Sequence, residues 1–265
     1  MNGKIESLRM IYFSPTQSTK KILNAIADGI NISFREEVDL TFAAFNGEQQ
    51  ENIEDVAIIG VPVYSGRIPE IAISRMNGIK GNGIPAIIIV LYGNREFEDA
   101  LMELKDFAEN MGFNVIAAAS FIGEHSLSSK EQPIAYGRPD ILDIEKAVKL
   151  GRRIKEKITA QIFNKTEIVV AGHYPYKERK PKPIITLVTI EKRCIACNKC
   201  IHVCPVAAIP SDNPLITDGA KCLRCSACIR VCPQSARLIT DSLSKEIAKR
   251  LFDTCKIRKE PEYFI

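Results

Sequence analysis

Apolar and polar positions alternate between two periods in the first part of the chain. LRMIYF (8–13) is a short apolar run of strand type. The segment after it, KKILNAIADGI, repeats Ile22, Ile26 and Ile30 on one helical face. REEVDL (35–40) reads as a second strand. DVAIIGVPV (55–63) and PAIIIVLY (85–92) are apolar enough to be buried on both faces. A helix over 97–111 turns Phe97, Ala100, Leu101, Leu104, Ala108 and Met111 inward, and Gly112 ends it. FNVIAAASFI (113–122) is a fifth strand. A helix starting near Asp140, behind Pro139, carries Ile144, Val148 and Ile154. Strands alternating with helices predict an α/β fold, a doubly wound five-stranded parallel sheet in the order 2-1-3-4-5.

The pattern then breaks. Residues 164–185, ending in HYPYKERKPKPII, are rich in proline and basic side chains and read as a linker or a wrapped extended segment. Past the cysteine-rich stretch, DSLSKEIAKRLFDTCKI predicts a terminal helix with a Leu243, Ile247 and Leu251 stripe suited to docking. The expected borders are a first domain at 1–163, the linker at 164–185, a cysteine domain at 186–240 and a docking helix with its tail at 241–265.

Cysteine placement is the most informative compositional fact. None of the nine precedes Cys194, and eight lie between Cys194 and Cys232. Such crowding points to metal or redox chemistry and away from disulfides. CIACNKCIHVCP (194–205) recurs as CLRCSACIRVCP (222–233), so the frame C-x2-C-x2-C-x3-C-P occurs twice. In two-cluster proteins the fourth cysteine of each run ligates the other cluster. One set is then Cys194, Cys197, Cys200 and Cys232; the other is Cys222, Cys225, Cys228 and Cys204. Zinc sites usually pair one CxxC with a distant second pair, which is not this frame. Residues 190–240 resemble bacterial two-cluster [4Fe–4S] ferredoxins, which move single electrons at low potential.

The formal charge of +4 changes meaning in that light. Each oxidised cluster with four thiolates carries about −2, so two contribute about −4. Lys192, Arg193, Lys199, Lys221, Arg224, Arg230 and Arg237 crowd the cysteines and read first as charge compensation, second as a docking patch for an acidic partner. No nucleic-acid partner is expected. No run of 18 apolar residues occurs and the first residues lack the apolar core of a signal peptide, so no membrane partner and a cytoplasmic location are expected.

Three loops at the predicted C-terminal strand ends carry the remaining chemistry. SPTQST (14–19) follows strand one with four hydroxyls, enough for a helix cap and also for an anion site at a helix N-terminus. Neither a triphosphate loop nor a dinucleotide fingerprint is present. FSPTQST resembles the flavodoxin phosphate loop, usually S/T-x-T-G-x-T. Ser14, Thr16, Ser18 and Thr19 match it, Gln17 stands where glycine is usual, and Pro15 removes one backbone donor. The resemblance implies FMN, with its ring between VPVYSGRIP (61–69) and LYGNREF (91–97). The implied contacts are Pro62, Val63, Tyr64, Ser65 and Gly66 on one side, and Tyr92, Gly93, Asn94, Arg95 and Phe97 on the other. Tyr64 or Tyr92 would stack, or stand as a rim aromatic. Positive φ at Gly66 would let a backbone carbonyl meet flavin N5. Arg67 and Arg95 would face the pyrimidine end, or stand as solvated surface arginines.

The whole chain resembles flavodoxin–ferredoxin fusions. That family implies an electron-transfer protein with FMN and two [4Fe–4S] clusters, interconverting one- and two-electron steps with redox partner proteins. It also allows a homodimer. The alternative is a flavin-dependent reductase of a small acceptor such as a quinone, with His125 as proton donor; otherwise His125 is an ordinary loop histidine. His202 and Cys255 read as structural.

Overall fold

The computed structural model describes residues 6–46, 55–160, 167–180 and 187–265. The linker positions 164–166 and 181–185 and the cysteine-domain position 186 lie outside them. The chain divides into two compact units. The first takes in described residues up to Glu124, Gly137–Arg179 and Lys259–Ile265; the second takes in His125–Tyr136 and the described part of Lys180–Arg258.

The first unit is the predicted parallel sheet. Strands β1 (Ser7–Tyr12), β2 (Phe34–Asp39), β3 (Val56–Pro62), β4 (Pro85–Tyr92) and β5 (Asn114–Ile122) lie in the order 2-1-3-4-5. Met10 lies opposite Ile58 of β3, and Ile59 opposite Ile88 of β4. Alternate side chains leave opposite faces of the sheet. Met10 and Tyr12, Ile58, Ile87 and Ile89, and Ala117 and Phe121 share one core cluster with helices α1 (Ser18–Ile30) and α4 (Ile141–Thr159). Helix α3 (Ala100–Asn110) packs on β4 and β5. Helix α2 (Glu70–Met76), which the pattern did not predict, follows Pro69 in one short run. Helix α4 begins on a capping box, Asp140 accepting from Asp143 N–H and Asp143 from Asp140 N–H.

Three borders differ from expectation. His125–Tyr136, expected within the first domain, belongs to the second unit. A strand at the very end of the chain, β8 (Glu262–Phe264), adds antiparallel to β5 with Tyr263 opposite Ala119, so residues 259–265 belong with the sheet. Residues 167–179 also belong to the first unit, as the wrapped segment and not as a free linker. Asp99 holds them by accepting from the N–H groups of His173 and Lys177, at 2.9 and 2.6 Å.

In the second unit, β6 (Leu187–Thr189) and β7 (Arg237–Ile239) pair antiparallel. Between them lie a short 3-10 turn (Glu191–Arg193) and two one-turn helices, α5 (Lys199–His202) and α6 (Ala227–Arg230). The 28-residue sequence repeat is also a backbone repeat. Ala196, Asn198 and Ala207 have positive φ, and so do Arg224, Ser226 and Ser235 at the matching places. The last helix, α7 (Ser242–Thr254), buries Ser244, Ala248 and Leu251. The predicted stripe is thus displaced: Leu243 is 44% exposed, and Leu251 alone of the three named is buried. Asp241 caps the helix and aligns this register, accepting from Ser244 N–H at 2.7 Å. No helix among the described residues is long and apolar enough to cross a membrane.

Candidate functional site

The cysteine frames fold into two cavities. Cys194, Cys197, Cys200 and Cys232 line one, with about 20 Å³ open to water-sized molecules. Cys204, Cys222, Cys225 and Cys228 line the other, of the same size. Three cysteines of each set come from one frame and the fourth from the other frame. The local cause is the C-P step: after Cys204 and Cys232 the chain turns away, and the N–H groups of Ala208 and Ala236 donate back to the Cys204 and Cys232 Sγ atoms at 3.2 Å each. Arg224 N–H donates to Cys222 Sγ at 3.4 Å. Such donors suit thiolates that carry negative charge.

Electrostatics agree with a preference for metal over free thiolate. Burial pushes the Cys225 thiol up to about 12, and raises Cys200, Cys222 and Cys228 as well. The guanidinium of Arg237 pulls back on Cys200 and Cys228. Buried thiols that resist ionisation by themselves ionise when a cation is bound. Ile195, Leu223, Val206 and Ile209 complete the walls. The residues present fit an iron–sulfur cluster in each cavity.

Of the seven basic residues near the cysteines, Lys192, Arg193, Lys199, Lys221 and Arg230 are exposed and Arg224 is half-buried. Arg237 alone is buried, at 1% exposure. In the same unit Ser226 Oγ donates to the Ser126 carbonyl at 2.6 Å, and Arg230 reaches the His125 carbonyl at 3.3 Å. His125 Nδ1 accepts from Leu127 N–H at 3.0 Å, which is the ordinary loop role. Cys255 is half-buried at the end of α7, its N–H bonded to the Leu251 carbonyl.

In the first unit SPTQST forms the turn between β1 and α1, at the C-terminal edge of the sheet. Its hydroxyls divide the work. Ser14 is the cap: its Oγ accepts from Lys20 N–H at 3.1 Å, and its own N–H donates to Thr41 Oγ1 at 2.9 Å. Thr19 is buried. Thr16 and Ser18 face each other, with hydroxyls 3.3 Å apart, on an open depression of about 490 Å³. Gln17 takes the left-handed conformation, φ 62°, that glycine would take there, and its side chain donates to the Ser14 carbonyl. Pro15 is buried. Among the described residues no acceptor is found for the N–H groups of Thr16, Ser18 and Thr19. Lys20, Lys21 and Arg138 also line the depression. Unused donors at a helix N-terminus beside cations fit an anion.

The other two loops are held by contacts within the unit. Gly66 has the expected positive φ of 82°, and its carbonyl accepts from Asp99 N–H at 3.1 Å. Tyr92 is 3% exposed and packs edge-on against Phe97, centroids 5.4 Å apart, so it is core and not a stacking face. Asn94 is buried and accepts from Lys259 N–H. Arg67 makes a paired contact with Glu103 and lies 4.8 Å over the Tyr176 ring; Arg95 pairs with Glu98 at 2.7 Å. Both guanidiniums are held by carboxylates of the same unit. Pattern reading missed these partners because Glu98, Asp99 and Glu103 looked like the polar side of a helix. Gly93 and Pro62, Val63 and Tyr64 are half-buried, and Ser65 is exposed with φ 57°. Anion-binding features therefore fit at SPTQST, and Pro62–Ser65 with Gly93, Arg95 and Glu96 are the accessible parts of the other two loops.

Residues 186–233 match the family model of the 4Fe-4S dicluster domain. No curated protein matches the chain. Among solved structures the chain is similar to a flavodoxin from the domain Archaea, at 15% identity over 57% of this chain and 98% of that one, with a TM-score of 0.40. It is similar to the rubredoxin oxygen:oxidoreductase of Desulfovibrio gigas, at 16% identity over 59% of this chain and 37% of that one, TM-score 0.44. It is also similar to oxidised flavodoxin 1 of Bacillus cereus, at 16% identity over 57% and 98%, TM-score 0.39.

Proposed function

We propose that this chain, a flavodoxin-like sheet joined to a 4Fe-4S dicluster domain, is an electron-transfer protein that carries two [4Fe–4S] clusters and FMN. The observation that carries the reading is the crossed sorting of eight cysteines into two four-sulfur cavities. Each cluster would supply one-electron chemistry, and FMN both one- and two-electron chemistry.

The chain's own residues would do the following. Cys194, Cys197, Cys200 and Cys232 hold one cluster, and Cys222, Cys225, Cys228 and Cys204 the other. The apolar residues between them limit water access. The N–H groups of Thr16, Ser18 and Thr19, with the Thr16 and Ser18 hydroxyls, hold the phosphate of FMN. Pro62, Val63, Tyr64 and Ser65 bear on the ring. The exposed basic residues around the cysteines meet an acidic redox partner protein. A location in the cytoplasm accords with thiols kept reduced.

The test is an anaerobic absorption spectrum of the reconstituted protein with iron, sulfide and flavin quantified. The expected result is about eight irons per chain, four for each cluster, and flavin bands after incubation with FMN. Iron at that level without flavin leaves a ferredoxin and removes the two-electron role. No iron–sulfur absorption removes the reading altogether.

A further inference from the structure

Arg237 is buried to 1% exposure at the start of β7; it lines one cysteine cavity and bonds to a wall residue of the other. It lines the first directly. Its Nη1 donates to Thr189 Oγ1 at 3.0 Å and to the Pro214 carbonyl at 2.8 Å, both on the wall of that cavity. Its Nη2 donates to the hydroxyl of Thr217, which lines the second cavity. Its Nε–H finds no acceptor. Among the described residues no carboxylate forms an ion pair with it. All three anchoring groups are neutral.

A guanidinium buried without a counter-ion is costly. The sequence repeat shows that the fold does not demand it. The 28-residue offset that pairs Ala208 with Ala236 pairs Ile209 with Arg237, and Ile209 is buried at 2%. An apolar side chain serves in one half and a cation in the other. Negative charge held between the cysteines is the counter-ion the site lacks.

We propose that Arg237 sets the reduction potential of the bound clusters, its unpaired buried charge favouring the reduced state of each. A cluster gains one negative charge on taking one electron, and an apolar pocket opposes that gain. A fixed cation in the same low-dielectric space offsets the opposition, with little screening by salt. Arg237 is a positioning residue and binds no iron.

This inference rests on the cluster reading, and one experiment separates the two. The full chain is reconstituted anaerobically as wild type, Arg237→Lys, Arg237→Gln and Arg237→Ile, and iron is counted. Cluster reduction is then followed by electron paramagnetic resonance against ambient potential. The expected result is full iron in wild type and Arg237→Lys, with similar potentials. In Arg237→Ile and Arg237→Gln the reduced-to-oxidised ratio at a fixed potential falls about tenfold for both clusters, equivalent to about 59 mV for a one-electron couple. Should the Ile variant lose iron, the Gln variant, which keeps donors and lacks charge, decides. Unchanged potentials in an iron-replete neutral variant overturn the proposal, as does an equal fall in Arg237→Lys. Wild-type protein without iron overturns the cluster reading instead.

Discussion

Asp99 shows how a single carboxylate ties down a whole segment. Burial by itself would raise its carboxyl, but the N–H groups of Lys177 and His173 outweigh burial and hold it below the ordinary carboxylate range. A depressed folded value means the stabilisation is complete above the unfolded value of about 3.9 and is lost as pH falls through the folded value. Residues 173–177 are expected to keep slow amide exchange at neutral pH and to lose it at acid pH below that unfolded value. Asp99→Asn should weaken the grip at neutral pH by about 1.5–3 kcal/mol, because charge-assisted hydrogen bonds become neutral ones. Exchange monitored segment by segment checks both outcomes. Equal protection in the variant would mean that Tyr176 on Asp106 and Arg179 on Glu103 suffice.

At the scale of elements, α1 and α4 meet where two glycines face each other. A Cβ on Gly29 would lie 2.1 Å from the Val148 carbonyl oxygen, and one on Gly151 would lie 2.1 Å from that of Ile26. Both obstacles are backbone, so neither helix can yield by turning a side chain. Gly29→Ala is expected to destabilise the first unit by about 1–3 kcal/mol in spite of alanine's better helix propensity. A denaturant midpoint measured on the full chain reads this directly. The helices themselves were legible from the period of their apolar residues. Their close approach was not, because a glycine in a helix reads only as a weak position until a neighbour is seen against it. Helix α2 escaped notice for a related reason: seven residues are too few to display a period.

At the scale of the molecule, the crossed ligand sets make a prediction that separate pockets would not. Cys232→Ala should remove the cluster of the first frame and leave that of the second; Cys204→Ala should do the reverse. Each variant is expected to hold about half the iron of the wild type, with different magnetic resonance spectra for the cluster that stays. If each substitution instead removed the cluster of its own frame, the crossed assignment would fail.

Periodicity and spacing alone determined the five parallel strands, their order and the two cysteine sets. These are repeated local signals: apolar runs bounded by turns, and a C-x2-C-x2-C-x3-C-P frame that occurs twice. Long-range partners were decided only by the tertiary structure. It brought Glu103 to Arg67, Asp99 to residues 173 and 177, Lys259 to Asn94, and β8 to the edge of β5. It also separated Arg237 from six other basic residues that looked the same along the chain. Charge is written in the sequence, whereas burial and the presence of a counter-ion depend on which distant segments fold over a side chain. For that reason the doubled cysteine frame was readable in advance, and the partners that hold Gly66, Arg67, Tyr92 and Arg95 were not.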